Sequence, residues 1–419
     1  MTEPYDVAVV GGGSAGTAAA IAAARCGART VLLEKGPCLG GAATLRNVLT
    51  YCGLYTLGDE PRRAVMGVAE EVMQGLRKLG AVTGPQRHRG VFVVFDPEAV
   101  KLVLDSLCAE AGVQVMFNAF VCGATRTGGH IVDLRWQDHG GEHTIRARAC
   151  VDASGEGDLA QFACAATRYG NDGAVNLGTL ATRFGGIPRD VTVTADQLTA
   201  AVQAAKAAGR GPFSKDRSVL TRLPISGDVV CYLASEDYDP RDVQSRSAAE
   251  RRGRLQAWAY LDVIRGLPGC ANAWLASTGP EFGTREARHI EAVHRLAWQD
   301  VVEGRPQPDS IALGAWGVEW HDRATLQSSF IYPPDRTAYE IPLRCLMSRD
   351  TTNLFAAGRV VDADRQAGAS LRVMGTAFAT GQAAGVAAAL HADQGKVDGD
   401  RVRRALREQG ALIDVGEIA

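Results

Sequence analysis

The sequence has almost no net charge. Its 45 Lys and Arg residues stand against 47 Asp and Glu, leaving −2 with His neutral. A nucleic-acid partner needs a basic patch or stripe, and the densest basic tract, Arg246 with Arg251, Arg252 and Arg254, is offset by acidic neighbours. Long unbroken apolar runs are also missing. The most apolar opening stretch, Val7 to Ala24, is interrupted by four glycines and preceded by Asp6, where a signal peptide would carry positive charge. Neither a leader nor a membrane-spanning segment is expected, and a membrane partner is excluded with them. None of the ten cysteines pairs with another at Cys-x-x-Cys spacing, which argues against zinc and iron–sulfur sites. They read as reduced thiols of a cytoplasmic protein, and no metal is expected.

With 46% hydrophobic and 22% charged residues over 419 positions, the chain can bury the cores of two or three domains. Asp6 to Val10 is a short β-branched run of buried-strand type, Val31 to Leu33 is a second, and the Ala-rich stretch between them is helical, making a βαβ unit. Arg62 to Leu79 has helical spacing. Asp96 and Pro97 start a further helix to about Ala111, with Asp96 as its cap. Val113 to Val121 and Thr144 to Asp152 read as strands. From Thr167 the pattern changes: strand-like pieces at Thr179 to Arg183 and Val229 to Leu233 flank helical runs near Ala195 to Ala208 and Ser245 to Gly266, the pattern of a second, α+β domain. After Ile341 and Pro342 a buried strand returns at Asn353 to Ala357, followed by a small-residue helix from Gly375 to Leu390.

The first βα turn reads Gly11-Gly12-Gly13-Ser14-Ala15-Gly16, a G-x-G-x-x-G between a strand and a helix. The first glycine permits the tight turn, the second lets backbone approach a pyrophosphate, and the third lets helix pack on strand. The helix amino end offers unpaired N–H groups and a positive dipole to phosphate. An acidic residue about 20 positions further on accepts the ribose hydroxyls, and Glu34 stands there. A carboxylate at that point disfavours the 2′-phosphate of an NADP-type ligand.

This fingerprint does not separate FAD from NAD; three later segments do. Lys35 to Thr44, with Gly40-Gly41, resembles the flavoprotein segment after the second strand. Ala149 to Asp158 resembles V-D-A-T-G-x-G-D, and Asn353 to Arg359 resembles the terminal N-L-x-x-A-G-D/R strand. Together with Tyr339 to Cys345, Ser370-Leu371-Arg372-Val373-Met374-Gly375, Gly381-Gln382-Ala383-Ala384-Gly385, Thr284 to Ile290, and Asp309 to Asp322, these motifs make the chain similar to the FAD-dependent oxidoreductase family over most of its length. The resemblance implies an α/β fold: a Rossmann-like FAD/NAD(P)-binding domain of glutathione-reductase type with an inserted α+β substrate domain. The boundaries expected are 1–60, 96–165 and 339–419 for the FAD-binding domain, and 61–95 and 166–338 for the cap. It also implies FAD contacts from Gly11, Gly13, Ser14, Ala15, Gly16, Glu34, Lys35, Gly40, Gly41, Ala42, Thr44, Val121, Ser154, Gly155, Asp158, Gly358, Arg359, Arg372, Val373 and Gly375. One departure stands out: family members often carry His two residues before the Ser of S-I-R-V-M, where this chain has Gly368.

For chemistry, His321 between Glu319 and Asp322 is the general-base candidate; the bland alternative is a structural His capped by Asp322. Cys52, just past the Gly-Gly segment, reads either as a redox or nucleophilic thiol or as inert burial. Cys38 has no second cysteine at the interval of dithiol reductases, which disfavours disulfide reduction. Arg285 and Arg288, with Glu286 between them, read as a salt-bridged helix start that can also orient an acidic substrate, and Arg372 as support for an anionic flavin edge or a substrate carboxylate. His88 and Arg89 lie in a segment expected over the site. The absence of a second G-x-G-x-x-G leaves no dedicated NAD(P) domain. The expected reaction is oxidation of a small organic substrate by hydride transfer to FAD. The alternative is a monooxygenase or reductase with transiently docked NAD(P)H, and the W-x-W-x-I-P segment of flavin halogenases is missing. An RNA-modifying flavoprotein would need a basic tract, and a non-catalytic flavin subunit would not be reduced by substrate. The sequence leaves open whether the chain is a monomer or a homodimer.

Overall fold

The computed structural model describes residues 3–173 and 175–419. Strand β1 (Tyr5–Val10), helix α1 (Ser14–Arg25) and strand β2 (Thr30–Glu34) form the opening βαβ unit. The last four residues of β1 and all of β2 are buried, as a parallel strand covered on both faces requires. Strands β3 (Gln114–Phe117), β4 (Ala147–Asp152) and β5 (Leu354–Ala356) complete a parallel sheet in the order β5-β4-β1-β2-β3. The strand latest in sequence thus sits beside β4, with Cys150 opposite Leu354 and Asp152 opposite Ala356. A three-stranded antiparallel meander, Phe120–Thr127, His130–Asp138 and Gly141–Ile145, fills the chain between β3 and β4.

Helix α2 (Met374–Gln394) follows β5 and packs on α1. The two helices meet backbone to backbone: a Cβ on Gly381 would lie 2.1 Å from the Ala15 carbonyl oxygen, and one on Gly385 2.1 Å from that of Ala19. Four residues apart, these glycines share one face of α2. This close crossing explains why both helices are written in Ala and Gly.

The cap has its own sheet, ordered Leu220–Arg222, Val229–Glu236, Gly178–Gly185, Trp274–Thr278. Helices Ala195–Ala207 and Val243–Arg265 cover it around a second core of Leu180, Phe184, Leu198, Tyr260 and Phe282. A Thr194–Gln197 capping box starts the first helix, and Asp242 caps the second through the N–H groups of Gln244 and Ser245.

Several elements depart from the sequence expectation. Residues 61–95 do not join the cap. Helix Val68–Lys78 turns Val68, Val72, Met73 and Leu76 into the larger core, where Val91–Val94 joins them. Ser310–Gly314 pairs with Tyr339–Pro342 and contributes Ile311 and Ala312 to that core, so the cap pattern ends earlier than residue 338. Asp96 occupies the cap position of helix Pro97–Glu110 without capping it; its Oδ2 accepts the Ile225 N–H at 2.7 Å and ties the helix start to the cap. Thr284 to Ile290 is no helix start: Arg288–Ile290 is a strand antiparallel to Thr167–Tyr169.

Candidate functional site

The turn after β1 is closed to side chains on two sides. A Cβ on Gly11, which has φ +98°, would lie 2.5 Å from the Ala153 carbonyl oxygen, and one on Gly16 would lie 1.7 Å from that of Gly11. Gly13 differs, because a Cβ there would meet nothing nearer than Gly41 Cα at 3.9 Å. Gly13 faces a cavity of ≈ 720 Å³ that Ser14, Ala15, Gly41 and Ala42 also line. Helix α1 starts here with no side-chain cap, and the buried Ser14 Oγ has no partner among the described residues. Its first N–H groups are left for an acceptor in the cavity. At the end of β2, Glu34 accepts the N–H groups of Gly12 at 2.5 Å and Gly36 at 2.7 Å, and its carboxylate borders the cavity beside Lys35.

Other expected cofactor residues divide into liners and shapers. Gly40 donates its N–H to Gly12 O at 2.8 Å and holds the second glycine turn against the first, while Thr44 Oγ1 donates to Leu39 O at 2.7 Å and closes the second turn on itself. A small recess of ≈ 40 Å³ gathers Val121, Glu34, Lys35, Ser154 and Asp158. Ser154, Gly155, Gly358, Arg359, Arg372 and Val373 line the main cavity. Gly375 does not: a Cβ there would lie 2.5 Å from Cys52 O, so it seats α2 on strand Thr50–Cys52. Next to Gly155, a buried charge cluster escaped the sequence reading. Glu156 receives Arg46 at 3.1 Å and Arg359 at 3.3 Å, Arg46 also reaches Glu281 at 3.5 Å, and Arg359 Nη1 donates to Thr284 O at 2.6 Å. Burial opposes charge on Glu156, but Arg359 and Arg46 outweigh it and hold the carboxyl below its ordinary range.

Toward the cap, the same cavity is lined by Cys52, Lys215, Arg285, Glu319, His321 and Arg372. Arg372 Nη2 donates to the Glu319 backbone oxygen at 3.0 Å and lies 3.4 Å from its carboxylate; Trp316 Nε1 donates to the same Oε2 at 3.3 Å. His321 Nε2 lies 3.6 Å from Glu319 Oε1, while its Nδ1 is buried without a partner among the described residues. A polar chain from below fixes the backbone of His321. Its N–H donates to Asn176 Oδ1 at 2.9 Å, Asn176 donates twice to Glu286 Oε2 at 3.0 Å, and Glu286 Oε1 lies 3.2 Å from His289 Nε2. Long-range partners therefore claim Glu286, which is why its segment is extended and not helical. At Gly368, where family members carry His, a Cβ would come 3.7 Å from His289 Cε1.

Electrostatics sorts the expected catalytic residues. Burial and then Arg285 pull His321 down to about 3, so it is a neutral imidazole. Burial opposes charge on Glu319, but the His321 N–H and the Arg372 and Arg285 guanidiniums outweigh it and hold the carboxyl well below the usual range. Burial pushes the Cys52 thiol up to about 12, which removes the thiolate that a nucleophilic or redox role needs. Asp322 does not cap His321; it accepts the N–H groups of Ala324 and Thr325 in the following turn. Arg288 does not reach the cap side of the cavity either: it donates to Glu156 O at 3.1 Å and pairs with Asp158 at 3.4 Å. His88 and Arg89 do line the cavity, and Arg89 donates to Ser328 O at 2.9 Å across its mouth. Lys215 was invisible in the sequence, where nothing distinguishes it from a surface lysine.

A βαβ turn closed to side chains at Gly11 and Gly16, an acid ending β2, and a cavity running from that turn to the cap define a dinucleotide-binding α/β protein with a cap over the far end of its cavity. Residues 6–406 match the FAD dependent oxidoreductase family, and the chain belongs to it, with FAD as the implied cofactor. Digeranylgeranylglycerophospholipid reductase of Thermoplasma volcanium is 27% identical over 164 residues, 36% of this chain and 40% of that one. Digeranylgeranylglycerophospholipid reductase 2 of Methanopyrus kandleri is 30% identical over 152 residues, 36% of this chain and 37% of its own. The chain spans about two fifths of the length of these relatives. BexE, studied for oxidation during BE-7585A biosynthesis, shares the fold with a TM-score of 0.52 at 15% identity, over 97% of this chain and 66% of its own. The trough fits FAD: its glycines leave room where a pyrophosphate must pass, and the uncapped start of α1 with the unpartnered Ser14 hydroxyl supplies donors.

Proposed function

We propose that this flavoprotein is a dehydrogenase or oxidase that oxidises a small organic substrate at the cap side of the cavity. Gly11, Gly13 and Ser14 would hold the pyrophosphate of FAD, Glu34 the adenosine ribose, and Val121 and Ser154 the adenine end. Arg359 and the start of α2 at Val373 would border its flavin end. Bound FAD supplies the hydride acceptor.

The observation that carries the reading is the Glu319–His321 pair beside an unpartnered Nδ1. Glu319 favours the proton of neutral His321 on Nε2, which leaves the Nδ1 lone pair without a donor among the described residues. That atom takes the proton from the substrate's O–H, N–H or C–H as the hydride leaves, and Glu319 stabilises the imidazolium that results. Arg372 holds Glu319, and the Asn176–Glu286–His289 chain holds the His321 backbone. Near-zero net charge supports a small molecule as the partner over a nucleic acid.

Anaerobic mixing of the FAD-loaded protein with alcohols, amines and hydroxy acids tests this. Bleaching of the oxidised flavin band by one of these classes is the expected result. Bleaching by NADH or NADPH alone sinks the reading and points to a monooxygenase or reductase.

A further inference from the structure

We propose that the substrate carries a single carboxylate, and that Arg285 and Lys215 hold it at the cap side of the cavity. This assignment rests on the reading above that substrate enters there.

The arginines around the site divide into two kinds. Arg46, Arg359, Arg288 and Arg372 each have a carboxylate within ion-pair distance. Arg285 has none among the described residues; it donates through Nη1 to the Leu177 carbonyl, which leaves the rest of its planar fork for another acceptor. Lys215 likewise has no ion pair among the described residues, yet it is not a loose surface lysine. Its N–H donates to Tyr260 Oη at 3.1 Å, and that hydroxyl donates back to Lys215 O at 2.7 Å. The neighbouring Ser214 hydroxyl is pinned to Gln256 Oε1 at 2.6 Å. The backbone is thus clamped to the buried Tyr260 of the cap, and its side chain lines the same cavity as Arg285.

Cations gathered in one partly desolvated space are costly unless an anion joins them. The cost is visible in both groups: burial, then Arg285, pulls the Lys215 ammonium down to about 7, and burial, then Arg372, pulls Arg285 down to about 10. The carboxylate of Glu319, already paired with Arg372, cannot offset them alone. Its negative charge in the same cavity also disfavours a dianion, while the flat guanidinium matches a carboxylate. Occupancy has a second effect. After burial, Arg285 is the largest influence holding His321 down, so a carboxylate on Arg285 raises the basicity of the imidazole only when substrate is present.

The test is binding without turnover. The oxidised, FAD-loaded full-length protein is titrated with benzoate, with its neutral isostere benzamide, and with inorganic phosphate, followed by flavin difference absorbance and by calorimetry. Benzoate is expected to bind saturably and at least about tenfold tighter than either, the effect of one charge-assisted contact. R285M should weaken benzoate binding at least about tenfold, and R285K should restore part of it. K215M should weaken it as well, and K215R should recover it. Absent benzoate binding, equal affinity for benzoate and benzamide, preferred phosphate, or wild-type benzoate binding in both R285M and K215M overturns the assignment. Should R285M lose its fold or its flavin, the K215M and K215R pair decides the question. Benzoate binding through these residues in a protein whose flavin no substrate reduces would sink the oxidation reading alone. Flavin reduction by a neutral substrate, with no anion bound, would sink this assignment alone.

Discussion

At its nucleotide end the cavity is made of backbone. Within residues 11–16 and 34–42 it is shaped by turns that leave no room for a Cβ at Gly11 or Gly16, an uncapped helix start, and one carboxylate held by two N–H groups. At its cap end it is made of side chains from separated segments: Cys52, Lys215, Arg285, Glu319 with His321, and Arg372. A backbone site tolerates added atoms at few of its positions, but its requirements are few and local. A side-chain site can be retuned residue by residue, because each member arrives on a different element and owes its position to different neighbours. The first end accounts for a shared cofactor, the second for divergent chemistry on one scaffold.

The sharpest way to break this contrast is Gly13→Asp. The position has room for a Cβ, so the fold should survive, while a carboxylate at the start of α1 opposes a pyrophosphate. The expected result is complete loss of bound flavin with an unchanged far-ultraviolet circular dichroism spectrum; retained FAD would remove the trough from the nucleotide site. Next in size is His321→Gln, which should leave flavin content intact and slow single-turnover flavin reduction by roughly 10²–10⁴-fold, the contribution of a positioned base. An unchanged rate would leave the proton to another group.

A smaller effect comes from pH. Lys215, facing Arg285, Glu319 and Arg372, is charged below about 7 and neutral above it. Only the charged form attracts a carboxylate, so kcat/KM for such a substrate should be highest below that value and fall about tenfold as pH rises through it. His321, at about 3, adds no limb in the neutral range. K215R should flatten the profile, and a limb that persists in K215R would assign it elsewhere. The smallest change is expected from Cys52→Ser, whose protonated thiol should be replaceable with less than about a twofold effect on flavin reduction. A larger loss of turnover at unchanged stability would restore the thiol to the mechanism.

The same contrast explains what could be read from the sequence. Gly11 to Gly16 followed by Glu34 was legible because strand, turn, helix and acid are contiguous and each residue type has a single physical reason. The strand at Asn353 to Ala357, observed at Leu354–Ala356, was legible because its apolar run is local. Glu286 was misread as part of a salt-bridged helix start because Arg285 and Arg288 flank it, whereas Asn176, 110 residues away, sets its conformation. Val68 to Leu76 has an amphipathic face whose target no local pattern names; the larger core claimed it. Glu156 fills the unspecified position of the Ala149–Asp158 motif and Lys215 lies in a segment of ordinary composition, and only the fold turns the one into an anchor for two arginines and the other into a cation of the cavity.

The crossing of α1 on α2 also has a biosynthetic meaning. Helix α1 leaves the ribosome first, yet the glycines that admit its carbonyl oxygens are Gly381 and Gly385, and the strand that completes the sheet is Leu354–Ala356. At about 5–20 residues per second, the phosphate-facing turn waits roughly 20–70 s of translation for its supporting neighbour. During that interval the small-residue face of α1 has no packing partner, so a nascent chain halted before residue 354 should be a client for chaperones and should capture no flavin. Flavin capture is therefore expected only at the end of synthesis, although the residues of the Gly11–Gly16 turn are among the earliest made.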